Sequence, residues 1–135
     1  MIVFRNPPTV APPIGRYRHS VTIPPNATLL LISGQVGMNP EGELGATYDE
    51  QWRHALQNVV LNVEAGGMNL KDIVKCTALL VERYRPTRDE DRARITAISK
   101  EILGDHVPTW TTHIIPDLVR PDLMLEIEAV AAAVI

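Results

Sequence analysis

The chain contains more apolar strand surface than its helices can cover. Residues 28–33 (TLLLIS) form a continuous apolar run, which is typical of a strand covered on both faces. Residues 123–135 carry Leu125, Ile127 and Ala129 on one side and Met124, Val130 and Ala132 on the other. Only two helical patterns are present, and they can cover one face of a sheet. An apolar sheet face of this extent is unusual on a monomer, so we expect a homo-oligomer that buries the second face.

The first helical segment has clear signals at both ends. Thr47 and Glu50 have the spacing of a capping box, and Gly66 and Gly67 are typical of a helix C-terminus. The apolar residues between them recur at helical spacing: Trp52, Ala55, Leu56, Val59, Val60 and Val63.

The second helical segment repeats the same cap spacing. Thr87 and Glu90 follow a proline, and Gly104 ends the segment. Its apolar stripe consists of Ile95, Ile98 and Ile102. Arginines and carboxylates are interleaved over residues 83–94, which favours a solvated, salt-bridged helix start over an RNA-binding patch.

The remaining patterned segments are extended. Strands are predicted at residues 17–23, 73–81 and 109–115, which gives the order β-β-α-β-α-β-β. Prolines keep residues 1–13 in an extended N-terminal arm, and the turn-rich residues 38–45 predict a hairpin or loop. We therefore predict one α+β domain over residues 1–135, with both helices on one face of the sheet.

Composition argues against several classes of partner. The net charge is −3, no basic stripe is present and aromatic residues make up 4%, so nucleic acid is not expected as a main partner. No apolar run approaches the roughly 18 residues of a membrane helix, and the first residues do not resemble a signal peptide. With a single cysteine, Cys76, no intrachain disulfide can form. We expect a cytoplasmic protein with Cys76 buried in a strand rather than acting as a nucleophile.

No pattern in the chain predicts a metal or a nucleophilic serine. The four histidines, at positions 19, 54, 106 and 113, lack the spacing of metal ligands, so neither a metal nor another cofactor is expected. Ser33 has no His and Asp partners at a recognisable spacing.

Four short motifs, in this order along the chain, resemble those of one family. They are PIGRY at residues 13–17, ISGQVG at 32–37, EAGG at 64–67 followed by DIVK at 72–75, and LEIEA at 125–129. The chain is similar to the Rid/YjgF family of reactive-intermediate deaminases, which also carries the label endoribonuclease L-PSP family. The resemblance implies a chorismate-mutase-like fold with a mixed sheet, assembled as a homotrimer with a small-molecule cleft at each subunit interface.

The resemblance also implies a set of site residues. Known members hydrolyse enamines and imines to a keto acid and ammonia, with a Tyr and a Ser-Gly segment lining the cleft and a Glu that orients or activates water. These positions match Tyr17, Ser33, Gly34 and Glu126, with Tyr17 and Glu126 as the candidate catalytic residues and Ser33 and Gly34 as candidate substrate-binding residues. After the Tyr, this chain has Arg18 and His19 where the family usually has Ser and Gln, and we include both as candidate substrate-binding residues.

The family's carboxylate-binding Arg is replaced by Trp110. That Arg stands in a Pro-x-Arg-(Ser/Thr) motif, which reads Pro-Thr-Trp-Thr here. An Arg binds a carboxylate through two charge-assisted hydrogen bonds of about 1.5–3 kcal/mol each, whereas indole has one neutral donor. We therefore expect a ligand that is bulkier, less charged or aromatic. Arg16, Arg18 and Arg120 are candidates for a replacement cation.

Each candidate has an alternative interpretation as a purely structural residue. Tyr17 and Trp110 suit interface or core packing equally well, and Glu126 with Glu128 suits a solvent-exposed strand edge.

Three functions are compatible with the sequence: a hydrolase of imines or enamines, a non-catalytic metabolite-binding or regulatory trimer, and a ribonuclease. The acidic charge makes the ribonuclease the weakest of the three.

Overall fold

The computed structural model describes all 135 residues and contains six strands and two long helices. The strands are β1 (Val3–Arg5), β2 (Ser20–Thr22), β3 (Thr28–Val36), β4 (Ile73–Val81), β5 (Thr109–Ile115) and β6 (Leu125–Ala133). The helices are α1 (Tyr48–Ala65) and α2 (Asp89–Leu103), and a short 3-10 turn (Leu70–Asp72) precedes β4. The predicted element order is confirmed from β2 onward, and β1 is an addition within the N-terminal arm.

Strand β1 was not predicted because its conformation depends on a distant partner. It pairs antiparallel with β2, and this pair forms a separate two-stranded sheet. Three residues beside a proline-rich segment carry no local periodicity of their own. The predicted hairpin or loop at residues 38–45 is a tight turn closed by a bridge between Met38 and Leu44.

The main sheet has the strand order β3-β6-β4-β5. Strand β6 runs antiparallel to both of its neighbours, whereas β4 and β5 are parallel, so the sheet is mixed. The parallel pair requires a crossover connection, and α2 supplies it. The expected α+β fold, with a mixed sheet and both helices on one face, is confirmed.

Helix α1 follows its sequence signals closely. The Thr47 hydroxyl accepts a hydrogen bond from the Glu50 backbone N–H at 3.1 Å. The Glu50 carboxylate accepts from the N–H of Ala46, one residue before the position that a complete capping box requires. Five residues of the predicted apolar stripe are buried: Trp52, Ala55, Leu56, Val59 and Val63. They join side chains of β4 and β6 in the core between sheet and helices.

The predicted capping box of the second helix is wrong. Helix α2 begins at Asp89 after Arg88, and no side chain caps its first turn. Three carboxylates in that turn interact favourably with the positive end of the helix dipole instead. Arg88 is paired with Asp91 at 2.8 Å, which confirms the expected salt-bridged start.

The second face of the sheet carries the apolar side chains that the helices leave uncovered. Leu29 is 56% exposed and Leu31 is 74% exposed in the single chain, whereas Ile32 beside them is buried against the helices. This confirms the expectation that two helices do not cover all the apolar strand surface.

The two Thr-x-x-Glu motifs offer a matched test of helix capping. Thr47→Ala removes the one side-chain cap of α1 and should lower the free energy of unfolding by about 1 kcal/mol. Thr87→Ala removes a hydroxyl that caps nothing and should change it by less than about 0.5 kcal/mol. Urea denaturation at one fixed protein concentration measures both values, and equal losses in the two variants would contradict this account of the helix ends.

Candidate functional site

A cavity of about 690 Å³ lies on the helix face of the sheet, beside the edge strand β5. This volume is within the range of small-molecule sites in proteins. Its walls come from both helices, β5, the segment after β4 and the segment before β2. The residues that matter below are Tyr17, Tyr48, Trp52, Arg85 and Trp110.

Backbone contacts hold the N-terminal segment at the mouth of this cavity. The N–H of Arg18 donates to the carbonyl of Pro108 at 3.1 Å, so this segment bridges to the start of β5. The guanidinium of Arg16 donates to the carbonyls of Gly104 and His106, just beyond α2. Tyr17 is thereby placed in the cavity wall, on the same side of the sheet as Trp110.

Three aromatic rings form a continuous wall. The rings of Trp110 and Trp52 are stacked with centroids 6.0 Å apart, and those of Trp52 and Tyr48 with centroids 6.5 Å apart. The indole N–H of Trp110 donates to Thr112, and that of Trp52 donates to Ser99. Because both N–H groups are already bonded, the tryptophans offer apolar faces to a ligand. Trp110 therefore packs against the core and lines the cavity at once.

The carboxylate of Glu126 belongs to the opposite face of the sheet. Trp110 pairs in register with Cys76, a core residue on the helix face, and Ala129 pairs with the same Cys76. Glu126 is three residues from Ala129, and side chains alternate between faces along a strand. Within one chain, Trp110 and Glu126 therefore cannot contact the same small ligand.

Gly34 and Ser33 accompany Glu126. The pairing of β3 with β6 shifts register between Ile32 and Gln35. Ser33 and Gly34, which lie between them, therefore form a β-bulge. A Cβ atom on Gly34 would lie 2.5 Å from a carboxylate oxygen of Glu126, so any larger residue here would displace that carboxylate from its position. Ser33 is exposed on this face.

Two effects raise the pKa of Glu126 above its usual value. Burial is the larger, because it removes water from the ionised carboxylate, and the negative charge of Glu128 adds to it. A carboxyl group with a raised pKa is suited to general acid–base chemistry near neutral pH.

The side chains of Arg18 and His19 do not line the cavity. Arg18 is exposed, and the His19 ring bonds to the carbonyl of Ala11 at 2.7 Å, which ties down the N-terminal arm. Arg120, a candidate replacement cation, is paired with Asp122, and Arg16 is bonded to carbonyls as described above. Their roles in binding remain predictions.

Sequence reasoning missed Arg85 and Tyr48. Both line the cavity, and the Nε of Arg85 and the hydroxyl of Tyr48 are buried without a hydrogen-bond partner. The available signal was position: Arg85 follows the carboxyl end of β4, whose parallel neighbour β5 carries Trp110. Nothing in the local pattern distinguishes it from the other arginines of residues 83–94.

Other candidate groups are inert or dispersed. Cys76 is buried, as expected, and burial raises the pKa of its thiol to about 12, which keeps it protonated. No three or more His, Cys, Asp or Glu side chains converge as metal ligands. Neither helix is long and apolar enough to span a membrane.

The fold and cavity together define a small α+β protein with an aromatic-walled cavity of small-molecule size beside an edge strand. This chain belongs to the endoribonuclease L-PSP family, whose model matches residues 8–133. The resemblance to Rid/YjgF proteins found in the sequence is thereby confirmed.

Individual relatives support this membership. The 2-iminobutanoate/2-iminopropanoate deaminase of Escherichia coli is 31% identical over 121 residues, covering 87% of this chain and 88% of that protein. The crystal structure of the Rid-family protein YyfB from Yersinia pestis is similar with a TM-score of 0.82 and 26% identity over 98% of both chains. The structure of Escherichia coli TdcF with bound serine has a TM-score of 0.67 and 30% identity, covering 90% of this chain and 91% of that one.

The electrostatic account of Glu126 can be tested by titration. Glu128→Gln removes the neighbouring negative charge and should lower the pKa of Glu126, which stays above its usual value because burial remains. Carboxyl chemical shifts of Glu126 against pH, from carbon-labelled protein, measure this. Glu64→Gln, an exposed change on α1, serves as the control and should leave the titration unmoved. An unchanged Glu126 titration in Glu128→Gln would contradict the coupling.

Proposed function

We propose that this protein hydrolyses imines or enamines in clefts that form between copies of a homotrimer. The proposal is supported by membership of a family whose relatives include a 2-iminobutanoate/2-iminopropanoate deaminase. The observation that carries it is the division of the candidate residues between two faces. Tyr17 and Trp110 lie on one face of the sheet, and Ser33, Gly34 and Glu126 lie on the other.

A second copy brings the two groups together. The cavity opens beside the edge strand β5, and the far face of the sheet exposes Leu29 and Leu31. Docking the β5 edge of one copy against the far face of the next buries this apolar surface, and burial of apolar surface drives association. The same contact places the carboxylate of one copy at the mouth of its neighbour's aromatic cavity.

The chemistry requires only water and one carboxylate. Glu126 takes a proton from a water molecule, and the water oxygen bonds to the electrophilic carbon of the C=N group. The carboxyl group passes this proton to the nitrogen, which gives an amino alcohol at the former C=N carbon. The hydroxyl proton then moves to the amine through the same carboxylate, the C–N bond breaks as the C=O bond forms, and ammonia leaves. Backbone groups at the β3 bulge near Gly34 orient the water. The raised pKa of Glu126 favours this proton exchange near neutral pH.

Because of Trp110, the substrate of this protein differs from the small imino acids after which the Escherichia coli deaminase is named. Its face is apolar and its only donor is bonded to Thr112, so it cannot replace the two charge-assisted bonds of an Arg. It offers a stacking surface instead. We assign the substrate to a larger imine or enamine than 2-iminobutanoate or 2-iminopropanoate.

Glu126→Gln tests the catalytic role. Turnover should fall by about 100-fold or more, because general acid–base catalysis typically contributes that much. Ammonia release is measured from a panel of imines generated in situ by oxidation of amino acids. Glu41→Gln, an exposed change in a loop, should keep the wild-type rate. An unaffected rate in Glu126→Gln, with its assembly intact, would overturn the assignment, and saturable binding without product from any imine would replace hydrolysis by binding alone.

The assembly is tested separately by sedimentation velocity. Leu31→Asp places a charge on the far face and should shift the protein from a trimer to a smaller species at micromolar concentration. Val119→Asp is the matched control, since Val119 is 92% exposed in a loop, and it should sediment like the wild type. A wild-type protein that sediments as a single copy would leave the proposed cleft without its second half.

A further inference from the structure

All the charged side chains that line the cavity are positive. Three arginines line it, namely Arg16, Arg85 and Arg92, and no Asp or Glu does. Arg16 donates to backbone carbonyls, and Arg92 donates to the carbonyl of Thr87 and the carboxylate of Asp89. The side chain of Arg85 makes no hydrogen bond or ion pair within the chain. It is therefore the one cation of the cavity whose side-chain donors are all unpaired within the chain.

Arg85 shares an unusual feature with Tyr48. The Nε of Arg85 and the hydroxyl of Tyr48 are the only buried side-chain nitrogen or oxygen atoms in the chain without a hydrogen-bond partner. Buried polar groups are nearly always bonded in functional proteins, because leaving them unpaired costs free energy. Two unpaired donors in the wall of one cavity gain a partner if an acceptor enters the cavity and the two side chains turn toward it.

The state of the Tyr48 phenol agrees with a donor role. Burial raises its pKa well above the usual value, while the positive charge of Arg85 acts in the opposite direction. The net effect keeps the phenol protonated at physiological pH. A guanidinium and a phenol O–H in one wall both suit a carboxylate, which only accepts hydrogen bonds when ionised.

We propose that Arg85, assisted by Tyr48, binds the substrate carboxylate, and that the substrate is a 2-imino acid with an aromatic side chain that lies along Trp110 and Trp52. The inference rests on the proposed function, since it assigns the substrate of the same cleft. It narrows the sequence expectation of a bulkier, less charged or aromatic ligand to an aromatic one that keeps its carboxylate. In this chain, Arg85 in the segment after β4 would bind the carboxylate that the family's Arg binds from the position of Trp110 on β5.

The first test is equilibrium binding of phenylpyruvate, the stable keto-acid counterpart of such a substrate. Arg85→Gln should weaken its binding about 10- to 100-fold, the range expected for losing charge-assisted bonds. Binding of phenylacetone, which replaces the carboxylate by a methyl group, should not change. Arg85→Lys keeps the charge but not the planar fork and should lose less affinity than Arg85→Gln. Tyr48→Phe should weaken phenylpyruvate binding several-fold.

The matched control is Arg53→Gln, which removes an arginine of α1 that is paired with Glu101 outside the cavity. It should bind phenylpyruvate like the wild type, and circular dichroism and sedimentation check that every variant is folded and assembled. Wild-type affinity for phenylpyruvate in Arg85→Gln, or an equal loss for phenylacetone, would overturn the carboxylate role.

A second comparison tests the aromatic part. Pyruvate should bind the wild type at least 10-fold more weakly than phenylpyruvate, and Trp110→Ala should reduce that difference. Equal affinity for the two keto acids would overturn the aromatic assignment. These binding results are independent of turnover: Arg85-dependent binding without imine hydrolysis refutes only the proposed reaction, and hydrolysis that is unaffected in Arg85→Gln refutes only the anchor.

Discussion

The insertion of β6 between β3 and β4 is the pairing on which the rest of the structure depends. It joins strands from the early and late parts of the sequence in one sheet. It also gives β6 a hydrogen-bonded neighbour on each side, while its side chains alternate between the two faces of the sheet. Leu125, Ile127 and Ala129 are thereby buried under the helices, and Glu126 and Glu128 are committed to the other face. A slip of one residue would exchange these sets, so burial of the apolar set keeps the carboxylates in place.

This arrangement leaves two surfaces of the single chain without a packing partner. One is an aromatic cavity beside an edge strand, and the other is a far face where a carboxylate lies next to exposed leucines. In the proposed trimer, the cavity of one copy packs against the far face of the next. This one contact both buries the exposed leucines and brings the carboxylate to the cavity. In this account, the positions that hold the copies together also shield the site from bulk solvent, while the water that reacts is held beside Glu126.

The sequence predicted elements well where the signal was local. The stripe of α1 and the Thr47 cap lie within one helix, and both are present. The identical spacing at Thr87 and Glu90 failed, because three acidic residues and Arg88 supply other interactions at that helix start. Strand β1 was missed because it exists only by pairing with β2. The family motifs identified the fold. Helix capping at Thr87 and the pairing of β1 depended on neighbouring residues that lie outside the local sequence pattern.

By itself, the sequence determined the periodicities, the excess of apolar strand surface, the family and the replacement of an Arg by Trp110. These are properties of residue type and spacing along one segment. Only the tertiary structure decided that Trp110 and Glu126 lie on opposite faces, and that Arg85 and Tyr48 meet in the cavity with unpaired donors. Tyr48 and Arg85 are far apart in the chain, and strand register and helix docking bring them together. Whether a polar atom is left without a partner depends on all the elements packed around it, which no local pattern records.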